Sequence, residues 1–169
     1  MLNLLRRTDP VAKLAQALHL QLAAAARRPE FFRDFGVADT IDGRFDMVVL
    51  HAWLVLGRLA EAGRSDVAQA LSNTLFTAFD EALRDLGNGD MGMGPRMKKI
   101  GNAFNGRCQA YEAVADDEKA LSDAILRNVY RGEVGREEQA TRLARYAQAA
   151  RIRLATQDPA EGTLDFGTP

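Results

Sequence analysis

The sequence is poor in the residues that build chemical sites. It has one cysteine, Cys108, and two histidines, His19 and His51, in 169 residues. A single cysteine excludes an internal disulfide and suits a reducing compartment. The histidines fall on separate helical stretches with no Cys/His cluster around either, so neither a metal site nor a cofactor is expected. Charge of one sign is not in excess: 22 Lys and Arg stand against 23 Asp and Glu, a formal net charge of -1. DNA is therefore not an expected partner, because dedicated nucleic-acid binders carry a basic surplus. Long hydrophobic runs are also missing. The longest, Met47 to Ala60, is broken by His51, Gly57 and Arg58 and falls short of the ~20 apolar residues a membrane span needs. Met1 to Arg7 places its charge after its apolar residues and is too short for a signal h-region. The expectation is a cytoplasmic protein that meets a membrane only at a surface.

What is present points to helices. Hydrophobic residues make up 47% and charged residues 27%, an ordinary globular balance. Apolar positions recur at helical spacing almost throughout, which predicts an all-α, single-domain bundle of about six to seven helices. The expected organisation is an N-terminal helix within 1–29, a core over 30–131, a basic C-terminal helix within 132–156 packed on the same domain, and a flexible acidic tail over 157–169.

Asp9 before Pro10 reads as a helix start. Val11, Leu14, Leu18 and Leu22 then mark one face, and Arg28-Pro29 stops the helix. Phe31, Phe32 and Phe35 are either core plugs or an adhesive surface anchor. Asp39-Thr40-Ile41-Asp42-Gly43 reads as a turn with Asp42 as N-cap, launching a helix apolar nearly all round, which should be the central one. Along it Arg44, His51 and Arg58 stand seven residues apart, about two turns each, and so share one line that is either a partner-facing seam or a solvated edge. Gly63 ends this helix and Ser65 should cap the next.

Gly87 to Pro95 is rich in glycine but is no phosphate loop: Pro95-Arg96 stands where Lys-Ser/Thr is required, and no strand precedes it. It presents Met91 and Met93, adaptable side chains of the kind that accept apolar segments. Pro95 should start a helix in which Cys108 is a buried, unreactive thiol. The last helix carries Arg136, Arg142, Arg145, Arg151 and Arg153, a basic face able to lie on an anionic membrane or ribosomal RNA, or simply in water.

Taken in order, several short patterns resemble the ubiquinol–cytochrome c chaperone family. They are Asp39-Thr40, Asp42-Gly43-x-Phe45, His51-x-Trp53 with Arg58, and Phe79-Asp80-x-x-Leu83-Arg84-x-x-Gly87. Gly89-Asp90-Met91, Lys98-Lys99, Gly106-Arg107, Ala110-Tyr111-Glu112 and Leu126-Arg127-Asn128 complete the set, across roughly residues 30 to 131.

The resemblance implies a non-enzymatic assembly factor for the cytochrome bc1 complex of the respiratory chain. Its client would be nascent or unassembled cytochrome b, with a helper protein and the ribosome or inner membrane as further partners. Under that reading Phe31, Phe35, Arg44, His51, Arg58, Met91 and Met93 are candidate client contacts. Arg142, Arg145, Arg151 and Arg153 are candidate membrane or ribosome contacts. Two alternatives remain: a haem-handling protein with His51 or His19 as ligand, and a small helical enzyme using His51, Arg58 and Asp80.

Overall fold

Asp9 accepts a hydrogen bond from the Val11 amide at 3.0 Å and so caps α1 (Pro10–Ala26), with Pro10 at a position whose missing N–H costs nothing. The structure, a computed structural model, describes residues 9–87, 92–161 and 163–169. After α1 come α2 (Pro29–Arg33), α3 (Ile41–Glu61), α4 (Ser65–Asp85), α5 (Met93–Glu112), α6 (Glu118–Asn128) and α7 (Glu137–Ala155). The described residues contain no strand. The chain is an all-helical single domain, as its periodicity predicts.

α3 is the central helix. It packs against α1, α4, α5 and α7, while α1 pairs with α4 and α6 with α7. Its neighbours cover Met47, Val49, Leu50, Ala52, Leu54, Val55 and Leu59 almost completely. Each of the larger side chains contributes roughly 1.5–3 kcal/mol of burial, which fixes α3 as the axis of the fold. No described helix is long and apolar enough to cross a membrane.

The helix starts differ in detail from those the sequence suggests. Thr40, not Asp42, caps α3: its backbone is extended, and its Oγ1 accepts from the Gly43 amide at 3.1 Å. Asp42 lies inside the first turn, where its charge suits the helix dipole. Gly43 is required by a close approach, since a Cβ there would stand 1.9 Å from the Ala38 carbonyl oxygen. α4 begins at Ser65 itself, with Arg64 at the cap and no side-chain capping bond. α5 begins at Met93 rather than Pro95, after Gly92 in a left-handed conformation. Pro95 is tolerated there because the first-turn amides have no intrahelical acceptor.

The expected flexible tail is a packed strap. Phe166 is 2% exposed and Leu164 7%. The Leu164 amide donates to Gln21 Oε1 on α1, and Arg58 Nε donates to the Gln157 carbonyl at 2.8 Å. Arg28 donates to the Gly167 carbonyl. Gln157 and Asp165 bond to each other in both directions. Two apolar side chains and a ladder of local hydrogen bonds outweigh the polar composition of 157–169.

Candidate functional site

The Arg44–His51–Arg58 line does not form one surface. A seven-residue repeat on a straight helix drifts only ~20° per step, so the three do share a face, but that face is covered in the middle. Arg44 is outside, paired with Asp39 at 2.7 Å. Arg58 is mostly covered and ties α3 to the strap through Gln157.

His51 has no exposure at all. Its Nδ1 lies 2.8 Å from the Met47 carbonyl and its Nε2 2.9 Å from the Tyr146 hydroxyl. The carbonyl can only accept, so Nδ1 carries the proton and donates, and Nε2 accepts from Tyr146. Burial pushes the imidazole down to about 4, leaving it neutral. The rings of Phe31, Tyr146 and Phe166 enclose it at 5.4–5.7 Å. Both nitrogens are therefore used inside the core, and His51 presents no surface. A haem ligand or catalytic base acting through Nε2 would have to displace the Tyr146 hydroxyl and open the aromatic cage around the ring.

Asp46 is the second buried polar group on α3, and also has no exposure. Its Oδ1 lies 2.9 Å from Arg107 Nε of α5, and its Oδ2 lies 2.7 Å from an Arg131 nitrogen beyond α6. Both contacts are short ion pairs. Burial pushes the carboxyl up to about 6 against the pull of the two guanidiniums. Arg107 also stacks over the Phe45 ring at 5.5 Å. Arg131 has a left-handed backbone, φ +57°, which costs a non-glycine residue about 1–2 kcal/mol. The Tyr111 hydroxyl is buried close by without a partner, and burial raises its pKa.

The remaining candidate client contacts divide between inside and outside. Phe31 is wholly buried and Phe35 is 4% exposed, so both are core and not an adhesive surface. Met93 is buried in the first turn of α5. Met91 lies outside the described residues. Cys108 is partly buried and its thiol is pushed up to about 12, which removes the thiolate. Asp80 is taken up by Arg84 at 2.8 Å on the same helix. The described residues hold no group of three or more His, Cys, Asp or Glu side chains able to bind a metal.

The arginines of α7 are all engaged. Arg145 reaches Glu118 at 2.9 Å, Arg151 reaches Asp116 at 2.7 Å, and Arg153 reaches Asp165 at 2.9 Å. Arg142 donates to the Asp34 carbonyl and lies 4.5 Å over the Phe35 ring. A helix that reads as basic in sequence is electrically matched in the fold.

Two concave surfaces lie at opposite ends of α3. At its start, a cleft of about 380 Å³ is lined by Arg27, Phe32, Arg33, Asp39 and Arg44. At its end, a shallow trough runs between α3 and α7. One part, about 320 Å³, lies over Ala115, Gln148, Ile152 and Ala155. It narrows to about 10 Å³ at Gly57 and Arg58, and a further part of about 400 Å³ beyond is bounded by Ala62 and Thr156. Small residues, Gly57, Ala62, Ala115 and Ala155, line the trough between the charged side chains of Glu61, Asp116 and Arg151. Nothing stands within 4 Å of where a Gly57 Cβ would be. Ile152, 73% exposed, forms its apolar wall.

The ubiquinol–cytochrome c chaperone family model matches residues 33–162. The chain belongs to this family. The crystal structure of the Cbp3 homolog from Brucella abortus superposes with a TM-score of 0.83 at 30% identity, covering 95% of this chain and 94% of that one. No curated protein matches.

Most of the residues that carry the family resemblance turn out to build the scaffold around α3. Asp39, Thr40 and Gly43 form its N-terminal turn. Phe45 meets the Phe79 ring at 5.3 Å. Trp53 donates from Nε1 to Glu112 at 2.8 Å and lies 5.6 Å from the Tyr111 ring, clamping α3 to α5. Gly87 ends α4 with φ +79°. Arg127 is in the last turn of α6, and the Asn128 carbonyl accepts from Arg131. Sequence reasoning missed Asp46, Phe166 and the trough. An acid between Phe45 and Met47, in register with Val49, Leu50 and Trp53, was the available signal for the first.

Proposed function

We propose that this chaperone holds newly made cytochrome b during assembly of the bc1 complex, and that an apolar helix of the client lies in the trough between the ends of α3 and α7. Family membership supports the assembly role. The observation that carries the client site is exposed Ile152 beside the small residues Ala115 and Ala155, with Gly57 further along the trough. Small residues let another helix approach closely, and an apolar wall shields its side chains from water. Arg58 and Arg151 line the same trough, so two of the arginines singled out in the sequence border the client here.

The buried titratable groups support a binding protein rather than an enzyme, since His51 and Asp46 are both spent on core contacts. Arg145 and Arg153 are more than half exposed. Surface ion pairs of this kind contribute little, about 0–1 kcal/mol, and are readily exchanged for an anionic surface such as the inner membrane or a ribosome.

Gly57→Leu tests the site. A Cβ at Gly57 meets nothing within 4 Å and leucine is the better helix former, so the fold should melt no lower while the side chain fills the narrow part of the trough. Cells carrying this variant should accumulate less assembled bc1 complex than cells carrying the unchanged protein. Equal bc1 levels would remove the trough as the client site.

A further inference from the structure

Among the described residues Arg131 is the one non-glycine with a left-handed backbone. Helices commonly end through such a residue, but glycine or asparagine usually supplies it. Here a bulky cation takes that conformation three residues past the end of α6, and two left-handed glycines, Gly132 and Gly135, follow. Between those glycines Val134 is 93% exposed, the most exposed large hydrophobic side chain described. The unusual conformation has a visible holder: the guanidinium reaches back 2.7 Å to Asp46 on α3, and donates to the Asn128 carbonyl that ends α6. Its side chain is 48% exposed, whereas Asp46 is fully enclosed.

We propose that the Asp46–Arg131 ion pair is a latch that holds the loop 131–135 in its closed form, and that neutralising Asp46 releases the loop with Val134 at its tip. The fixed points lie on either side. Tyr130 is buried, and its hydroxyl donates to the Phe35 carbonyl at 2.8 Å. Glu137 opens α7, which is packed on α3 and α6. The moving part is thus confined to a few residues.

The groups facing Asp46 are Arg107 and Tyr111 from α5, Arg131 from beyond α6, and Asp42 one turn earlier on α3. When the loop opens, the carboxyl loses Arg131 but keeps Arg107 and its burial. Its proton affinity is then higher than in the closed form, so proton uptake favours opening. In the closed form burial already sets the carboxyl at about 6, which places release under mildly acidic conditions. The loop relaxes to ordinary backbone angles once the ion pair no longer opposes the strain.

Amide hydrogen exchange of the peptide covering 131–136 tests this in the full chain, with D46N, R131Q and the double variant at neutral pH. Each single variant should speed exchange there by about tenfold or more, with α1 and α4 amides unchanged. The double variant should be no faster than either single one, because both break the same interaction. Unchanged exchange, an equal rise in α1 and α4, or additive effects would overturn the latch. If D46N does not fold, R131Q at the surface carries the same test. The unchanged protein at about pH 5 supplies a second one, with rates corrected for intrinsic exchange chemistry. The loop should exchange faster than at neutral pH while α1 and α4 do not, and equal corrected rates would count against the proposal.

Discussion

Phe166→Ala separates a packed C-terminal strap from a flexible tail. The ring is 2% exposed and meets His51 at 5.4 Å, deep beside Phe31 and Tyr146. Core Phe→Ala changes cost about 3–5 kcal/mol, from lost transfer energy and the cavity left behind. The strap is a chain end and can settle partly into the space, so the lower part of that range applies, about 3 kcal/mol. For a domain of this size each kcal/mol lowers Tm by about 2–4 °C, which gives a fall of roughly 6–12 °C. Urea titration followed by tryptophan fluorescence measures the free energy, with Trp53 as the single reporter. An exposed flexible tail would lose less than about 0.5 kcal/mol on the same change. A loss that small would refute the packing of the strap over His51.

Three further outcomes are expected. Gly43→Ala drives a methyl group against the Ala38 carbonyl, 1.9 Å from its ideal position, and should cost roughly 2–3 kcal/mol in a thermal melt. Thr40→Ala removes the α3 cap bond and should cost about 1 kcal/mol by denaturant titration. The third concerns pH, where two buried groups act in opposite senses. His51, pushed down to about 4, contributes about 3 kcal/mol that is present above pH ~6.5 and lost as pH falls toward 4. Asp46, pushed up to about 6, contributes a similar amount that is present below pH ~4 and lost as pH rises through 6. Together they cancel between those limits, so D46N should unmask a loss of about 3 kcal/mol on acidification from pH ~6.5 to ~4, read by urea titration at each pH.

The helices and the central place of α3 were legible because burial leaves a periodic mark. Val48, Val49, Leu56 and Leu59 state their own environment. The fate of polar residues on the same helix was not legible, because it depends on what covers them. Arg44 and His51 share a line, yet one is in water and the other under Phe166, which lies more than a hundred residues later in the chain. The α7 arginines show the same limit: Glu118 and Asp116, which neutralise Arg145 and Arg151, stand 27 and 35 residues away in sequence. The strap was hidden for a related reason. Leu164 and Phe166 are two apolar residues in a polar segment, too few for a periodic signal, and their worth comes from the slot they fill. The trough escaped notice because its marks are small residues, Gly57, Ala62, Ala115 and Ala155, which read in sequence as helix formers or packing points.

The central claim is that this chaperone holds unassembled cytochrome b against the α3–α7 trough. A photocrosslinking residue at Ile152, with Lys119 as an exposed control, followed by recovery of the tagged protein from cells and identification of the attached polypeptide, tests it most directly. Cytochrome b joined at 152 and absent at 119 is the predicted result. Cytochrome b absent at both positions, or captured equally at both, would contradict it.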